Sequence, residues 1–330
     1  MLKQELNFSL RISVINNCNF RCQYCPRNTS MENFCPTDIQ KNILPSDEFL
    51  TTITSLVSKY KFSKVVVTGG EPLLAQDLPL IMDVIKKNGQ FLELDTNGSL
   101  FSEKKWQAIK RFPDGVKISL DSLDAKTFSN ITNCPDNKCL ENIQKLIRAC
   151  IKDNIPVTLN VVATKLNIND IQDIIQFAKS NKINISLLDL YYTKETHNFW
   201  LQNYVDLDKW VAQNKQLFEK IEVLDDFGCH FIKMYYNMGR NYVRIKSSAS
   251  KTMRDNLCDK CPEYCQEGVF ALRLSRQGWV TSCQRNGEIG GYYTQTDKIE
   301  EMITRINNTK SSTDSFAKLL TFYNLTSLSK

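Results

Sequence analysis

The chain has 330 residues, 12 of them cysteine and 2 histidine, with a formal net charge of +6. Its 42% hydrophobic and 24% charged residues are those of an ordinary globular protein, which excludes disorder and collagen. No apolar run approaches the roughly 20 residues needed to cross a bilayer, and the small net charge gives no strong nucleic-acid signal. The opening MLKQELNFSLRISV has no continuous apolar run, so no secretory signal is expected and the compartment reads as cytoplasmic and reducing. Disulfides are rare there, so the cysteines read as thiolate ligands together with ordinary buried residues.

In chain order, apolar and β-branched strands are predicted at 8–15, 64–68, 91–95, 116–120, 157–163 and 184–190. Helical periodicity lies between them at 47–59, 78–87, 103–110, 140–153 and 168–181. Ser46, Ser102 and either Asn169 or Asp170 are candidate helix caps. This repetition predicts an α/β fold, a parallel sheet with helices outside; an open sheet and a curved partial barrel both satisfy it. After Tyr192 the rhythm stops, which sets a boundary between 1–192 and 193–330. Beyond it come a helical pattern at 208–222, a β-hairpin at 270–282 turning at 276–278, and helical patterns at 298–307 and 313–323.

Directly after the first strand stands CNFRCQYC, with Cys18, Cys22 and Cys25 spaced C-x3-C-x2-C. Three thiolates on one loop can converge on a cluster and leave one iron open, whereas a pure electron carrier uses four. Zinc would want four closed ligands. Further motifs end the later strands: Gly69-Gly70-Glu71-Pro72, Thr96-Asn97-Gly98, Ser119 with Asp121, Asn160 within the fifth strand, and 188–192 after the sixth. These are C-terminal strand ends, where ligands bind in parallel α/β architectures.

Together these motifs resemble the radical S-adenosylmethionine superfamily over residues 8–192. The resemblance implies a partial (β/α)6 TIM-like barrel. It implies a [4Fe-4S] cluster on Cys18, Cys22 and Cys25 that binds S-adenosylmethionine at its open iron. Gly69, Gly70 and Glu71 would then receive the methionine ammonium, and Tyr24 would lie near the adenine. Thr96, Ser119, Asn160 and Tyr191 would line the methionine and ribose. A one-electron donor of the flavodoxin or ferredoxin type would reduce the cluster, and the 5′-deoxyadenosyl radical would take hydrogen from substrate.

Cys258, Cys261, Cys265 and Cys283 form a second group, with Gly278 between the last two. The spacing resembles twitch and SPASM extensions and implies one auxiliary iron–sulfur cluster, of the [4Fe-4S] type; four cysteines suit zinc equally by themselves. Whether Cys258 ligates stays open. Cys35, Cys134, Cys139, Cys150 and Cys229 read as packing or incidental, although Cys134 and Cys139 flank a turn and also fit a redox pair.

Four stretches resemble the GTP 3′,8-cyclase family of molybdenum-cofactor biosynthesis: LRISVINNCNFRCQYC, VTGGEPLL, ISLDSLDAKTF and DNIPVTLNVVATKLNIND. Arg11 matches an arginine that contacts GTP in that family. Other positions depart. Val66 and Thr158 stand where the family carries an arginine and a lysine, the R-x-R after the auxiliary C-x2-C is absent, and the chain ends SLSK rather than in a glycine-rich tail. Losing two or more phosphate contacts at roughly 1.5–3 kcal/mol each weighs against GTP. The expectation is therefore radical modification of a peptide or natural product. A small-metabolite enzyme, including a divergent GTP 3′,8-cyclase, is the alternative. A non-enzymatic iron–sulfur or zinc module is the alternative of another class. The stretch 240–254 has five basic residues and no acid, and reads as a solvated face rather than the path of an anionic substrate. Glu71 and Asp121 read as structural carboxylates.

Overall fold

The computed structural model describes residues 3–25, 43–134, 136, 138–193, 195–226, 229–236, 239–246, 252–258, 268–283 and 289–312. Strand and helix alternate through the first half: β1 (Gln4–Glu5), β2 (Ser9–Ser13), α1 (Ser46–Lys59), β3 (Tyr60–Lys61), β4 (Val65–Thr68), α2 (Leu78–Lys87), β5 (Leu92–Thr96), α3 (Glu103–Ile109), β6 (Gly115–Ser119), α4 (Ala125–Thr132), α5 (Lys138–Lys152), β7 (Val157–Val162), α6 (Ile171–Asn181) and β8 (Asn184–Leu188). The second half adds α7 (His197–Asn203), α8 (Leu207–Asn214), β9 (Lys220–Asp226), β10 (Cys229–Tyr236), β11 (Asn241–Lys246), β12 (Thr252–Arg254), β13 (Ala271–Leu274), β14 (Trp279–Thr281), β15 (Gly290–Tyr292), α9 (Thr296–Asn307) and β16 (Lys310–Ser312).

The strands β2, β4, β5, β6, β7 and β8 lie side by side in that order, all parallel. Lateral partners in a parallel sheet point to the same face. One face carries Ile12, Val67, Leu94, Ile118 and Leu159, buried in one core with the helix residues Phe49, Ile53, Ile81, Ile143 and Ile174. The other face is polar. Register aligns Arg11 with Val66, Val66 with Glu93, Asp95 with Lys117, Lys117 with Thr158, and Ser119 with Asn160. Alternation in β5, β6 and β7 thus records a helix-covered outer face and a polar inner face.

The second half joins both edges of this sheet. β11 runs parallel to β8 and is followed outward by antiparallel β10 and β9. β13 runs parallel to β2 and is followed outward by antiparallel β14 and β15. Lys246 of β11 and Arg273 of β13 come within 5.5 and 5.1 Å of the same Phe270 ring. Strands from opposite flanks meet at one ring only if the sheet curves strongly, so the α/β fold is a partial barrel rather than an open sheet.

Most predicted elements recur within a few residues, and Gly278 takes φ +74° at the hairpin turn as expected. Four expectations need correction. Ser46 lies inside α1 and does not cap it; Pro45 holds the cap position, and the Ser46 hydroxyl donates to Asp77 at 2.7 Å. Asp170 precedes α6, but its carboxylate accepts from Ser122 instead of capping. The helical pattern at 208–222 holds as α-helix to Asn214 and as a 3-10 turn to Leu217, and the chain enters β9 at Lys220. Within 240–254, the segment 241–246 is β11, a strand of the main sheet and not a solvated face. Ser102 does cap α3, accepting from the Lys105 N–H. The helix predicted at 313–323 lies outside the described residues.

The hairpin turn is tied to the barrel through Arg276. Its guanidinium pairs with Asp77 at 2.8 Å, and both side chains are about nine-tenths buried, 11% and 10% exposed. It also lies 4.5 Å from the Phe49 ring centroid. Burial pushes the Asp77 carboxyl up, yet Arg276 and Ser46 hold it below its ordinary value.

Candidate functional site: the cysteine loop and the inner face of the barrel

Cys18, Cys22 and Cys25 occupy the loop after β2, at the C-terminal end of the parallel strands. Cys22 is half-buried, and Cys18 and Cys25 are exposed. The loop is stitched to α4. The Arg21 N–H donates to Thr132 O at 3.0 Å, the Gln23 N–H to Ile131 O at 2.9 Å, and the Asn133 amide to Arg21 O at 2.9 Å. Phe20 packs edge-on against Phe128 at 5.9 Å. Burial pushes the Cys22 thiol well up, and the nearby Asp121 carboxyl, Cys25 and Cys18 push it further. Burial raises Cys18 as well, while Phe20 N–H and the Asn97 amide donate to its sulfur. Metal binding to these thiols would have to release their protons. Among the described residues no three His, Cys, Asp or Glu side chains are grouped to hold one metal ion.

The glycines of the second motif serve the same loop. The Gly70 N–H donates to Ile15 O at 2.7 Å and the Glu71 N–H to Asn17 O at 2.9 Å. A Cβ at Gly69 would fall 2.4 Å from Ile15 O, and one at Gly70 would fall 2.1 Å from Asn17 O. The missing side chains therefore let the end of β4 receive the backbone that leads to Cys18. Gly69 also needs its φ of +137°.

Glu71 is fully buried. Its carboxylate accepts from Leu73 N–H at 2.9 Å, the Thr96 hydroxyl at 2.6 Å and Asn97 N–H at 2.7 Å, joining the ends of β4 and β5. Burial raises its carboxyl despite those donors. Asp121 accepts from the Tyr24 hydroxyl at 2.7 Å and from Val162 N–H at 2.8 Å, and burial pushes its carboxyl up to about 6.

The residues expected to face S-adenosylmethionine gather at this end of the sheet. Thr96 closes β5, Ser119 closes β6 and Asn160 lies beside it in β7. Tyr191 follows β8, and Tyr24 packs against the Leu190, Tyr192 and Trp200 cluster. The Thr96 hydroxyl is committed to Glu71 and also accepts from Gly98 N–H, while the Tyr24 hydroxyl is committed to Asp121. Of the second cysteine group, Cys258 and Cys283 are half-buried; Cys261 and Cys265 lie outside the described residues, as does Cys35. The Cys258 N–H donates to Asp255, whose carboxylate also pairs with Arg305 of α9 at 2.5 Å. Cys139 and Cys150 are buried on α5, and burial pushes their thiols up to about 11 and about 12, with Cys134 also raising Cys139.

Sequence reading missed the charged inner face. Arg11 pairs with Asp95 at 3.1 Å, and Glu93 pairs with Lys64 at 3.0 Å and Lys117 at 2.8 Å. Arg273 aligns with Arg11 across the β13–β2 pairing, and Arg244 with Ser186 across β11–β8. The signal for it was charge at every second position, in LELD and VKIS, inside otherwise apolar strands. The two departures that weighed against a phosphate ligand also look different in register. Val66 has Arg11 as its neighbour, and Thr158 has Lys117.

The radical SAM superfamily matches residues 12–178. A GTP 3′,8-cyclase of Limosilactobacillus fermentum is 30% identical over 288 residues, covering 85% of this chain and 80% of that protein. A GTP 3′,8-cyclase of Listeria monocytogenes is 29% identical over 286 residues, covering 83% and 78%. Among solved structures, histidine-tagged anSMEcpe with bound AdoMet has a TM-score of 0.60 at 15% identity, covering 92% of this chain and 82% of that one. Streptococcus suis SuiB bound to S-adenosylmethionine has a TM-score of 0.58 at 14% identity, covering 84% and 60%. These two share the fold. The expectation that favoured peptide modification over GTP cyclisation is overturned by the sequence relatives, which carry the cyclase name across about four-fifths of their length. No helix among the described residues is long and apolar enough to cross a membrane.

Proposed function

Because the chain belongs to the radical SAM superfamily, and within it to the family of the GTP 3′,8-cyclases, we propose that it binds GTP against the inner face of its barrel and joins C3′ to C8. Enzymes of this superfamily use a [4Fe-4S] cluster and S-adenosylmethionine. When bound, these supply one-electron cleavage of the carbon–sulfur bond and the hydrogen abstraction that follows.

The observation that carries the substrate reading is Arg273. It is 2% exposed, its Nε has no hydrogen-bond partner among the described residues, and one Nη donates to its own strand at Ala271 O. A buried guanidinium so poorly compensated calls for an anion. Its register neighbour is Arg11. Two arginines side by side on the polar face suit a triphosphate, whose oxygens take forked donors. Arg273 also lies eight residues past Cys265, so the arginine content after the auxiliary cysteines is not wholly lost.

Cys18, Cys22 and Cys25 would hold the SAM cluster. Gly69, Gly70 and Glu71 would present backbone to the methionine end, with Tyr24, Thr96, Ser119, Asn160 and Tyr191 around the remainder. Cys258, Cys261, Cys265 and Cys283 would hold an auxiliary cluster in a twitch-like extension over 193–330, beyond the barrel of 1–192. Asp255 supports this by fixing the Cys258 N–H from a carboxylate locked to Arg305. A small flavin or iron–sulfur protein would deliver the electron.

The test is anaerobic turnover of the reconstituted enzyme with GTP, S-adenosylmethionine and dithionite. A cyclised GTP product, lost in Cys22→Ala, is the expected result. Cleavage of S-adenosylmethionine with GTP left unchanged overturns the reading.

A further inference from the structure

The inner face holds a second charged group beside the arginines. Glu93 of β5 accepts from Lys64 at 3.0 Å and from Lys117 of β6 at 2.8 Å. Two ammonium groups share one carboxylate, so the cluster carries a surplus positive charge. The side chains of Lys117 and Glu93 are 18% and 14% exposed, enough to meet a ligand and little enough to be shielded from solvent. Lys117 stands next to Thr158 in register, and Glu93 next to Val66, whose other neighbour is Arg11. The cluster is therefore continuous with the Arg11 side of the same polar surface.

An ammonium fixed by one ion pair still has N–H donors to give, and its rotamer is already chosen before a ligand arrives. Glu93 thus orients Lys117 while competing for its charge, and a glutamine there would keep an oxygen to orient the ammonium but remove the competing charge. The nearby carboxylate Asp95 is itself paired with Arg11, so its charge is partly spent.

We propose that Lys117, held by Glu93, is a phosphate-contacting residue of this chain and fixes where the polyphosphate of its substrate lies along the barrel. The proposal rests on the nucleotide reading above, and deepens it by adding a subsite from a strand position that the cysteine, GGEP and serine motifs do not include. A merely structural ion pair and a phosphate contact make opposite predictions for the two partners. Breaking a structural pair from either side harms the site alike. A phosphate contact loses affinity when the cation is removed and gains it when the competing carboxylate is neutralised.

The experiment measures equilibrium binding of inorganic tripolyphosphate, and separately of GTP, to the cluster-reconstituted protein and its Lys117→Met and Glu93→Gln variants. Thermal melting serves as the folding control. Lys117→Met is expected to weaken tripolyphosphate binding about ten- to a hundredfold, the worth of one charge-assisted contact, and Glu93→Gln to tighten it. Equal binding in all three proteins overturns the proposal, as does weakening by both substitutions, or wild-type protein that binds no tripolyphosphate. Tripolyphosphate binding with the expected pattern, accompanied by no affinity for GTP, would uphold the phosphate subsite and defeat the GTP reading.

Discussion

Tyr24, between two of the loop cysteines, donates its hydroxyl hydrogen to Asp121 at the end of β6, 2.7 Å away. This bond crosses 97 residues of sequence and joins the cysteine loop to the strand end that carries Ser119. Burial pushes the Tyr24 hydroxyl well up, with Asp121 and Cys22 adding to it, so the group stays a neutral donor. Tyr24→Phe leaves one oxygen of a buried carboxylate without its donor, at a cost of about 1–3 kcal/mol. The expected outcome is a lower melting temperature of the apoprotein and faster loss of iron to a chelator. Unchanged iron retention would mean that the α4 contacts alone hold the loop.

Gly70→Ala forces a Cβ to within 2.1 Å of Asn17 O. Backbone must move, because the obstacle is a carbonyl and not a flexible side chain. We expect a loss of about 2–4 kcal/mol and poor iron incorporation. Gly89→Ala is the control: its Cβ would meet nothing within 4 Å, so only the φ of +67° opposes it. That variant should cost about 1 kcal/mol and keep its iron. Chemical denaturation and iron analysis on both proteins check the contrast.

Acid stability should report on Glu93. Burial pushes its carboxyl up, but Lys117 and Lys64 outweigh burial and hold it at about 2, against an ordinary 4.5. At Lys64 burial, helped by repulsion from the Lys117 ammonium, outweighs Glu93 and lowers the ammonium. A carboxyl depressed in the folded state stabilises the fold above its ordinary value, and the stabilisation is lost as pH falls through about 2. The difference in unfolding free energy between wild type and Glu93→Gln should therefore shrink by about 3 kcal/mol between pH 5 and pH 2. Urea unfolding across that range measures it, and a pH-independent difference would exclude the pairing.

Arg276 and Asp77 form the latch between the hairpin turn and the start of α2. Arg276→Met leaves a buried carboxylate without its cation, with the Ser46 hydroxyl and its own backbone N–H as donors. Breaking such a pair from one side costs about 3–5 kcal/mol. Because the pair is shielded from solvent, the loss should persist in high salt, which an exposed pair would not. Melting temperatures of both proteins at low and high ionic strength check this.

Much of the barrel was legible because its strands alternate and its helices repeat with the usual periods. Ile12, Val67, Leu94, Ile118 and Leu159 announce an outer face, and Ser102 announces the start of α3. The helix α4 escaped because it is short and its cap, Asp124, sits inside a serine- and aspartate-rich turn. The strands β9 to β11 escaped because their paired partners lie in hairpins and on β8, which no local pattern encodes. The cysteine loop could be read from spacing alone. Its support could not, since Gly70 meets Asn17 and Tyr24 meets Asp121 only after folding. The same holds for the inner face. Val66 and Thr158 read as missing cations along the chain, whereas across the sheet each has a cation beside it, Arg11 or Lys117. Register, a non-local property, reversed the weight of those two positions.

A barrel that closes GTP between C3′ and C8 must hold the ribose C3′ at the reacting position. GTP carrying deuterium at C3′ reads this out in anaerobic turnover followed by mass spectrometry of the 5′-deoxyadenosine formed. Joining C3′ to another atom requires removing the hydrogen there, so deuterium is expected in the 5′-deoxyadenosine. Unlabelled 5′-deoxyadenosine produced while the labelled GTP is recovered intact would contradict it.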